Sequence, residues 1–412
     1  MRTRLALVLL TGAVSAMATN RVPLTGKVTD ASGKPLEHAT AMIYHAGVKT
    51  GYSTFCPSCY ADCGKRALTD STGAFTIPSL DPDLWFELLV IHDGYTPAFV
   101  PKVDPSQGPA KTAALSPRAP VADPTRVVRG RVVDAHGQPV RDAVVEPMGV
   151  SVMTDHGERS GYGGIEGLEP VAVTDQKGEF ELSHAVPALG ILVQVVPRGM
   201  APKMVAMLTG AGRQTLAVGD GAVFRGRLVD HGKPVAGAQV GLYPQTPGGF
   251  GRKLQVFGDP YQEIRIGTQE DGSFVIPNVP AGVKWYIYGK MAAIAARGAA
   301  GPVKCASTAD GSEVDIGDLE IQPGLRLRGA VTLSDGAEIR AGMRAYISAT
   351  RGFDSQEAAL GRDGHFEFAG LAPGEYNVWT AVRGYDLPGK QLMLKVAVEH
   401  DLSDFAIKLE RR

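Results

Sequence analysis

A strand-and-turn pattern that recurs four times, about every hundred residues, constrains this chain more than any other feature. In each copy hydrophobic residues alternate around a central glycine, and three copies continue into a turn of Asp, Gly and Pro. The copies lie at 24–30, 128–134, 224–230 and, more loosely, 327–331. A repeat of this length indicates that each copy belongs to one folding unit with its own core, so the chain is interpreted as four tandem units.

Each copy has the alternation of a half-buried strand. Leu24, Gly26 and Val28 fall on one face, and the residues between them are polar. A glycine in mid-strand is destabilising unless another group packs closely over it, so we expect an aromatic side chain from a neighbouring strand there. The Asp, Gly and Pro that follow predict a tight turn.

Two more elements follow in every copy. An acid–glycine–aromatic segment at 69–75, 174–180, 269–274 and 362–366 predicts a hairpin. A calcium loop would need several oxygens from neighbouring positions, and these turns offer one or two. A proline-containing turn then precedes an aromatic or aliphatic strand. Short strands at regular spacing, with Gly and Pro between them, predict an all-β chain of sandwiches.

The order of these motifs resembles the carboxypeptidase regulatory-like domain family. In the first copy the resemblance rests on Gly-x-Val-x-Asp at 26–30, Thr-Asp-x-x-Gly-x-Phe at 69–75 and Gly-Tyr at 94–95. It implies a Greek-key sandwich of the transthyretin (prealbumin) type, a fold also grouped with starch-binding-like modules that bind carbohydrate. It implies an accessory or interaction module, because the family's motifs specify fold better than function. The last copy departs most, since no proline follows Gly336.

The N-terminus predicts export. Arg2 and Arg4 precede an apolar run at 5–10, and small residues at 16 and 18 form a cleavage site. We predict a signal peptide cleaved after Ala18 and a secreted or periplasmic protein. No later apolar run reaches the roughly 20 residues of a transmembrane helix, so none is expected in the mature chain.

Length and composition suit four units. The 412 residues are 44% hydrophobic, which provides a core for each unit. The net charge of −1 gives no electrostatic case for nucleic acid. The predicted segments are a signal peptide at 1–18, regulatory-like domains at 19–116, 126–219, 220–322 and 323–412, and a Pro-rich linker at 117–125.

The cysteines form one cluster and one outlier. Cys56, Cys59 and Cys63 lie in a loop of the first copy, and Cys305 lies in the third. In an exported protein the expected state is disulfide-bonded, and four cysteines allow three connectivities. We expect at least one local bridge within the cluster, and a bridge from the cluster to Cys305 would need the first and third units to touch. A zinc site of the three clustered thiolates with His45 is an alternative, as is a Cys-x-x-Cys redox pair, although no helix is predicted to activate it.

The sequence indicates two classes of function. Searches for catalytic, nucleotide and haem motifs find none, so no enzyme activity and no cofactor are predicted. The first class is a structural or interaction module for an envelope or extracellular protein. The second is polysaccharide binding through exposed aromatics. Trp379 is the best candidate because Tyr376 and Val378 take the inward face of its strand, and Tyr286 and Tyr288 are weaker candidates.

Four loops differ most among the copies. They lie between the first and second motifs of each unit, at 47–65, 149–170, 243–264 and 351–359. Variable loops on a constant scaffold commonly carry recognition, so a binding surface is expected there first.

Overall fold

The computed structural model describes residues 21–110, 112–162, 166–245, 263–307, 309–350 and 354–412. The predicted signal peptide at 1–18, with its cleavage after Ala18, lies outside these residues. Within them the chain is a succession of β-sandwiches with one short α-helix, α1 (Met291–Ile294). The predicted all-β, tandem-sandwich fold class is therefore confirmed.

The first unit is built from seven strands and a 3-10 turn at Pro105–Gln107. Its strands are β1 (Val22–Asp30), β2 (Thr40–Val48), β3 (Arg66–Leu68), β4 (Ala74–Leu80), β5 (Leu84–Ile91), β6 (Ala98–Val103) and β7 (Ala113–Leu115).

The second unit follows a 3-10 turn at Pro124–Arg126. Its strands are β8 (Val127–Val133), β9 (Val144–Thr154), β10 (Gly157–Tyr162), β11 (Ala172–Val173), β12 (Glu179–Ser183), β13 (Gly190–Val196), β14 (Lys203–Leu208) and β15 (Gln214–Ala217).

The third unit contains α1 between its sixth and seventh described strands. Its strands are β16 (Ala222–Asp230), β17 (Lys233–Pro234), β18 (Gln239–Pro244), β19 (Ile264–Gly267), β20 (Ser273–Val279), β21 (Lys284–Gly289), β22 (Val303–Ala306) and β23 (Glu313–Ile321).

The fourth unit ends the chain and has a 3-10 turn at Pro388–Lys390. Its strands are β24 (Leu325–Leu333), β25 (Arg344–Ala349), β26 (Ser355–Ala359), β27 (His365–Leu371), β28 (Gly374–Ala381), β29 (Tyr385–Asp386), β30 (Leu394–Val398) and β31 (Leu402–Arg411).

All four units share one topology. The first strand of each unit lies at the centre of one sheet, antiparallel to the hairpin strand and parallel to the last strand, as in β4-β1-β7. The facing sheet has the order β3-β2-β5-β6 in the first unit, and its equivalents are β10-β9-β13-β14, β19-β18-β21-β22 and β26-β25-β28-β30. A separate apolar cluster fills each sandwich. The limits predicted between the domains, including the linker at 117–125, stay predictions.

The central glycine of each first motif lies under a phenylalanine ring, as the sequence predicts. A Cβ at Gly26 would lie 2.5 Å from the Phe75 ring, which is closer than real contacts allow. The two residues face each other across the β1–β4 pairing. The equivalent pairs in the other units are Gly130 with Phe180, Gly226 with Phe274 and Gly329 with Phe366.

The hairpin turns use their aspartates to cap the backbone. Asp70 Oδ1 accepts hydrogen bonds from the backbone N–H groups of Thr72 (2.8 Å) and Ala74 (3.0 Å) and from the Thr72 hydroxyl. That hydroxyl holds the pKa of Asp70 below its ordinary value. Gly73 takes a φ of 72°, which favours glycine. The turn is therefore an Asx-type hairpin.

A buried threonine joins two loops in the first three units, a role that the sequence analysis did not identify. Thr69 Oγ1 accepts the Ala39 N–H (2.8 Å) and donates to the Leu36 carbonyl (2.6 Å). Thr174 and Thr268 make the equivalent pairs of bonds. Each threonine thereby satisfies buried backbone groups that water does not reach.

The contact between Gly26 and Phe75 provides a test of this packing. We expect Gly26→Ala to destabilise the first unit by about 1–3 kcal/mol, because the new methyl group would overlap the ring. Native-state hydrogen exchange of the β1 and β4 amides in the full chain measures this loss.

Two further variants serve as controls for this prediction. Gly212 has open space around it, so Gly212→Ala should change stability by less than about 0.5 kcal/mol. Combining Gly26→Ala with Phe75→Leu should cost less than the sum of the two single changes. Strict additivity of the two would contradict the proposed contact.

Candidate functional site

The cysteine cluster forms a compact loop between β2 and β3. A disulfide joins Cys56 to Cys59, with Cα atoms 5.0 Å apart. Cys63 is a free, buried thiol that donates from Sγ to the Pro57 carbonyl at 3.3 Å. The loop is fixed to the sandwich because the Ala46 N–H donates to the same carbonyl at 2.9 Å.

Two of the cysteine alternatives, the zinc site and the bridge to Cys305, need correction. Cys56 and Cys59 share a disulfide, so the three clustered sulfurs are not available as three thiolate ligands for zinc. His45 is engaged elsewhere, with Nδ1 3.0 Å from Glu87 Oε2. Cys305 is not bridged to the cluster: it lies on β22, and its thiol is directed towards the Trp285 carbonyl at 3.7 Å.

The first unit nevertheless touches the third. The Gly267 N–H donates to the Ser53 carbonyl at 2.6 Å, so the start of the cysteine loop is hydrogen-bonded to β19. Gly267 leaves no room for a side chain, because a Cβ there would lie 2.7 Å from the Tyr52 carbonyl oxygen. Cys56 and Pro57 also line a cavity of about 730 Å³ together with Glu263 and other residues of the third unit.

The first two units share an apolar joint. Residues of β2 and β5 pack against the beginning of β9 and the residue before β11. An ion pair between Arg66 and Asp142 (3.0 Å) lies beside this contact. The joint consists of Met42, Tyr44 and Leu89 on one side and Val144 and Val171 on the other.

The segment predicted as a linker is held in place by Arg118. Its guanidinium forms a two-point pair with the Glu169 carboxylate, at 2.5 and 3.0 Å, and also donates to the Glu181 carbonyl. Its backbone N–H donates to the Gly94 carbonyl at 2.8 Å. Glu169 raises the pKa of Arg118, which therefore remains a cation. One side chain thus ties the segment after the first unit to the second.

The third and fourth units meet around a buried lysine. Lys290 Nζ lies 2.8 Å from Glu263 Oε1 and 2.8 Å from Asp354 Oδ1. Met291, the next residue, belongs to the apolar cluster of the fourth unit. None of these charged residues was among the predicted site residues, although Glu263 and Asp354 fall in the variable loops 243–264 and 351–359.

Two of the three predicted aromatic residues line one groove. Trp379 of β28 and Tyr286 of β21 are both partly exposed and border a groove of about 950 Å³ between the third and fourth units. Trp379 stacks on Tyr346, with ring centroids 5.4 Å apart and an interplanar angle of 11°. Tyr376 and Val378 are buried on the other face, as the alternation predicts.

Tyr288, a weaker candidate for sugar binding, does not have the exposed ring that this role requires. It is 3% exposed, and its hydroxyl donates to Glu263 Oε1 at 2.6 Å. Its ring also lies 5.5 Å from Lys290 Nζ. Tyr288 therefore belongs to the buried polar cluster at the joint and not to a sugar-binding surface.

The described ranges contain no group of three or more His, Cys, Asp or Glu residues arranged to hold a metal ion. In the same ranges, no helix is long and apolar enough to cross a bilayer.

Comparison with solved structures gives matches at low scores only. No protein-family model matches this chain, and no curated protein matches it. The chain is similar to the Bacillus anthracis TIE protein at 12% identity, over 94% of this chain and 73% of that one, with a TM-score of 0.19. It is similar to a streptococcal ancillary pilin at 14% identity, over 69% and 99% of the two chains, with a TM-score of 0.23.

A further similar structure is BcpA, the major pilin subunit of Bacillus cereus. The identity is 9% over 95% of this chain and all of that one (100%), with a TM-score of 0.18. Scores this low carry no functional argument, and the sandwich assignment stands on the strands themselves.

The two free thiols lead to a test of the cysteine pairing. Burial raises the pKa of Cys63 to about 11 and that of Cys305 to about 12, so at neutral pH almost none of either thiol is ionised. We expect slow alkylation of both by iodoacetamide in the folded chain, with faster reaction only as the pH rises towards these values.

Peptide mapping after denaturation without reductant identifies the partners. Alkyl groups should then appear on Cys63 and Cys305, while Cys56 and Cys59 react only after reduction. Alkylation of Cys56 or Cys59 before reduction would contradict the pairing described here.

Proposed function

We propose that this chain is an exported structural and interaction module that acts on no separate substrate and holds a protein partner of the cell envelope or the extracellular space. The predicted signal peptide supports export, and the motif order that resembles the carboxypeptidase regulatory-like family supports an accessory role. The domain limits predicted above are part of the same proposal.

The observation that carries the proposal is that the units are joined by packed contacts. The first unit contacts the second through an apolar cluster and the third through the Gly267–Ser53 hydrogen bond. The third contacts the fourth through Lys290 and Met291. Contacts of this kind restrict domain motion more than a single linker would. Such a body suits a protein that holds a partner at a fixed position.

A group of exposed apolar side chains offers a surface for that partner. Leu208 is 61% exposed and ends β14, which among the described strands lies at the edge of its sheet beside β13. Leu189 precedes β13, and Met153 lies on β9 at the same end of this sheet by register. The Gln214 amide occupies the backbone edge here, accepting from the Leu208 N–H (3.2 Å) and donating to the Leu208 carbonyl (3.0 Å). The proposed contact is therefore made by the exposed apolar side chains and not by strand addition.

Photo-crosslinking in the producing cells tests the proposed partner contact. A photoreactive amino acid in place of Leu208 should yield an adduct with an envelope or extracellular protein. A matched control is Leu68, which is 63% exposed on an edge strand of the first unit. We expect no adduct from position 68, and absence of adducts from both positions would overturn the docking surface.

Polysaccharide binding is the second candidate function, and the shared groove favours it. The partly exposed Tyr286 and Trp379 offer flat apolar faces to the groove, and Gln245, Asn377 and Lys395 place amide and amino groups around them. Aromatic faces with polar neighbours are the features that sugar rings require.

Retention on immobilised polysaccharides tests this candidate. Trp379→Ala and Tyr286→Ala should each weaken retention at least tenfold, because each removes one stacking face and about 1.4 kcal/mol corresponds to that factor. Phe55→Ala in the first unit, which removes an aromatic that is 57% exposed, should leave retention unchanged. If the unaltered chain is not retained, the groove does not bind those polysaccharides and this candidate is removed.

A further inference from the structure

Three ionisable side chains are buried together at the joint between the third and fourth units. Lys290, Glu263 and Asp354 have side chains that are 6%, 4% and 8% exposed. Lys290 follows β21 and precedes α1, Glu263 precedes β19, and Asp354 precedes β26. Burying one ammonium beside two carboxylates carries a large desolvation cost that an ordinary surface ion pair does not have.

Neighbouring groups hold the two carboxylates in fixed positions. Asp354 Oδ2 accepts the backbone N–H of Met291 at 2.8 Å. Glu263 Oε1 accepts from the Tyr288 hydroxyl at 2.6 Å and from Lys290 Nζ at 2.8 Å, and Arg265 pairs with Glu263 Oε2. Lys290 Nζ is therefore placed between two carboxyl groups whose own orientations are set by other bonds.

The contact between the amine and Asp354 is close but poorly directed for a hydrogen bond. Nζ lies 2.8 Å from Oδ1, yet this buried oxygen accepts no hydrogen bond of good geometry in the described part of the chain. The amine nitrogen is thus held in contact with the carboxyl group with which it would react, and such closeness is what makes an intramolecular reaction fast.

We propose that Lys290 and Asp354 condense to an amide, an isopeptide bond between the third and fourth units, with Glu263 as the catalytic residue that moves the protons. The bond is intramolecular and forms once per chain. It does not depend on the proposed partner or on the sugar candidate.

The burial of Asp354 favours the neutral form of its carboxyl group, which is the form this reaction uses. Burial raises the pKa of its carboxyl group, although the Lys290 charge and the hydrogen bond from the Met291 N–H act in the opposite direction. A neutral carboxylic acid is a far better acceptor for an amine than a carboxylate is. The burial that makes the ion pair costly thus also makes this carboxyl group reactive.

The step balances without a further reactant. With Asp354 starting as the neutral carboxylic acid, Glu263 takes one proton from the Lys290 ammonium, and the freed lone pair of Nζ forms a bond to Asp354 Cγ. Protonated Glu263 then delivers that proton to the departing hydroxyl, which leaves as water, and it takes a second proton from nitrogen. The products are one amide, one water molecule and a protonated Glu263, so charge and hydrogen count are conserved.

The surroundings favour condensation over hydrolysis. Two groups that the fold holds in contact can have an effective concentration on the order of 10⁵–10⁸ M. Such a value offsets the usual preference of an amide for hydrolysis in water. The reaction also removes the buried ammonium. A cavity of about 30 Å³, lined by Asp354, Tyr376 and Gly370 among others, lies beside the carboxyl group and has room for one water molecule.

Intact-mass measurement of the purified full chain, unfolded and reduced, tests the proposal. The mature chain should be lighter than its sequence requires by the mass of one water molecule. Trypsin should then release a branched peptide that contains Lys290 and Asp354, because trypsin does not cleave after an acylated lysine. A chain of full mass that yields only the two linear peptides would overturn the proposal and leave a buried ion pair.

Variants separate the roles of the three residues. Lys290→Met and Asp354→Ala should each restore the full mass, and Glu263→Gln should greatly slow the mass loss while circular dichroism remains that of the sandwiches. An undiminished mass loss in Glu263→Gln would contradict its catalytic role. Asp104→Ala serves as the matched control, since it breaks a lysine–aspartate pair of similar length (2.7 Å) that is partly exposed, and it should not change the mass loss.

Discussion

Each sandwich depends on one close approach, in which a phenylalanine ring covers a glycine directly opposite it on the neighbouring strand. The ring occupies the space of a Cβ, so the contact sets how deeply the ring enters the core. It also sets the register between the central strand and the hairpin strand. The central strand carries the parallel last strand as well, and a slip of one residue would turn its apolar face outwards. One pair of residues therefore orders three strands in every unit.

This dependence explains which parts of the fold could be predicted from sequence. The glycine, the phenylalanine and the Asp–Gly turn between strands are local signals, and their geometry follows from residue type alone. The buried threonines were not predicted, although Thr69 and Thr174 stand inside a recognised motif. Their partners lie about thirty residues away, and no local pattern marks them. In the fourth unit Leu360 occupies the corresponding position, so the bridge is not a requirement of the fold.

The candidate sites were predictable only where strand alternation decided them. Alternation placed Trp379 opposite the core, and the structure agrees. Tyr288, a weaker candidate, lies on the face of its strand opposite Ile287, yet that face is covered at the joint by Glu263 and Lys290. Lys290 is 27 positions from Glu263 and 64 positions from Asp354 in the sequence, and each is an isolated charged residue of the cluster. A sequence alone gives no signal that such residues meet, because their contact depends on how two finished units pack.

The joints place different physical demands on the chain from those of the cores. A hydrophobic core can be filled by many sets of apolar side chains of suitable total volume. A joint, in contrast, must select one relative position of two folded sandwiches. Apolar contacts such as that around Leu89 let one unit shift slightly against the next. The two hydrogen bonds from Arg118 to Glu169 allow no such shift, because both depend on direction. Before any bond forms between them, the buried charges around Lys290 go further, because any displacement would leave an ammonium or a carboxylate unpaired away from water. The polar residues at the joints therefore fix the arrangement of units whose interiors are already stable.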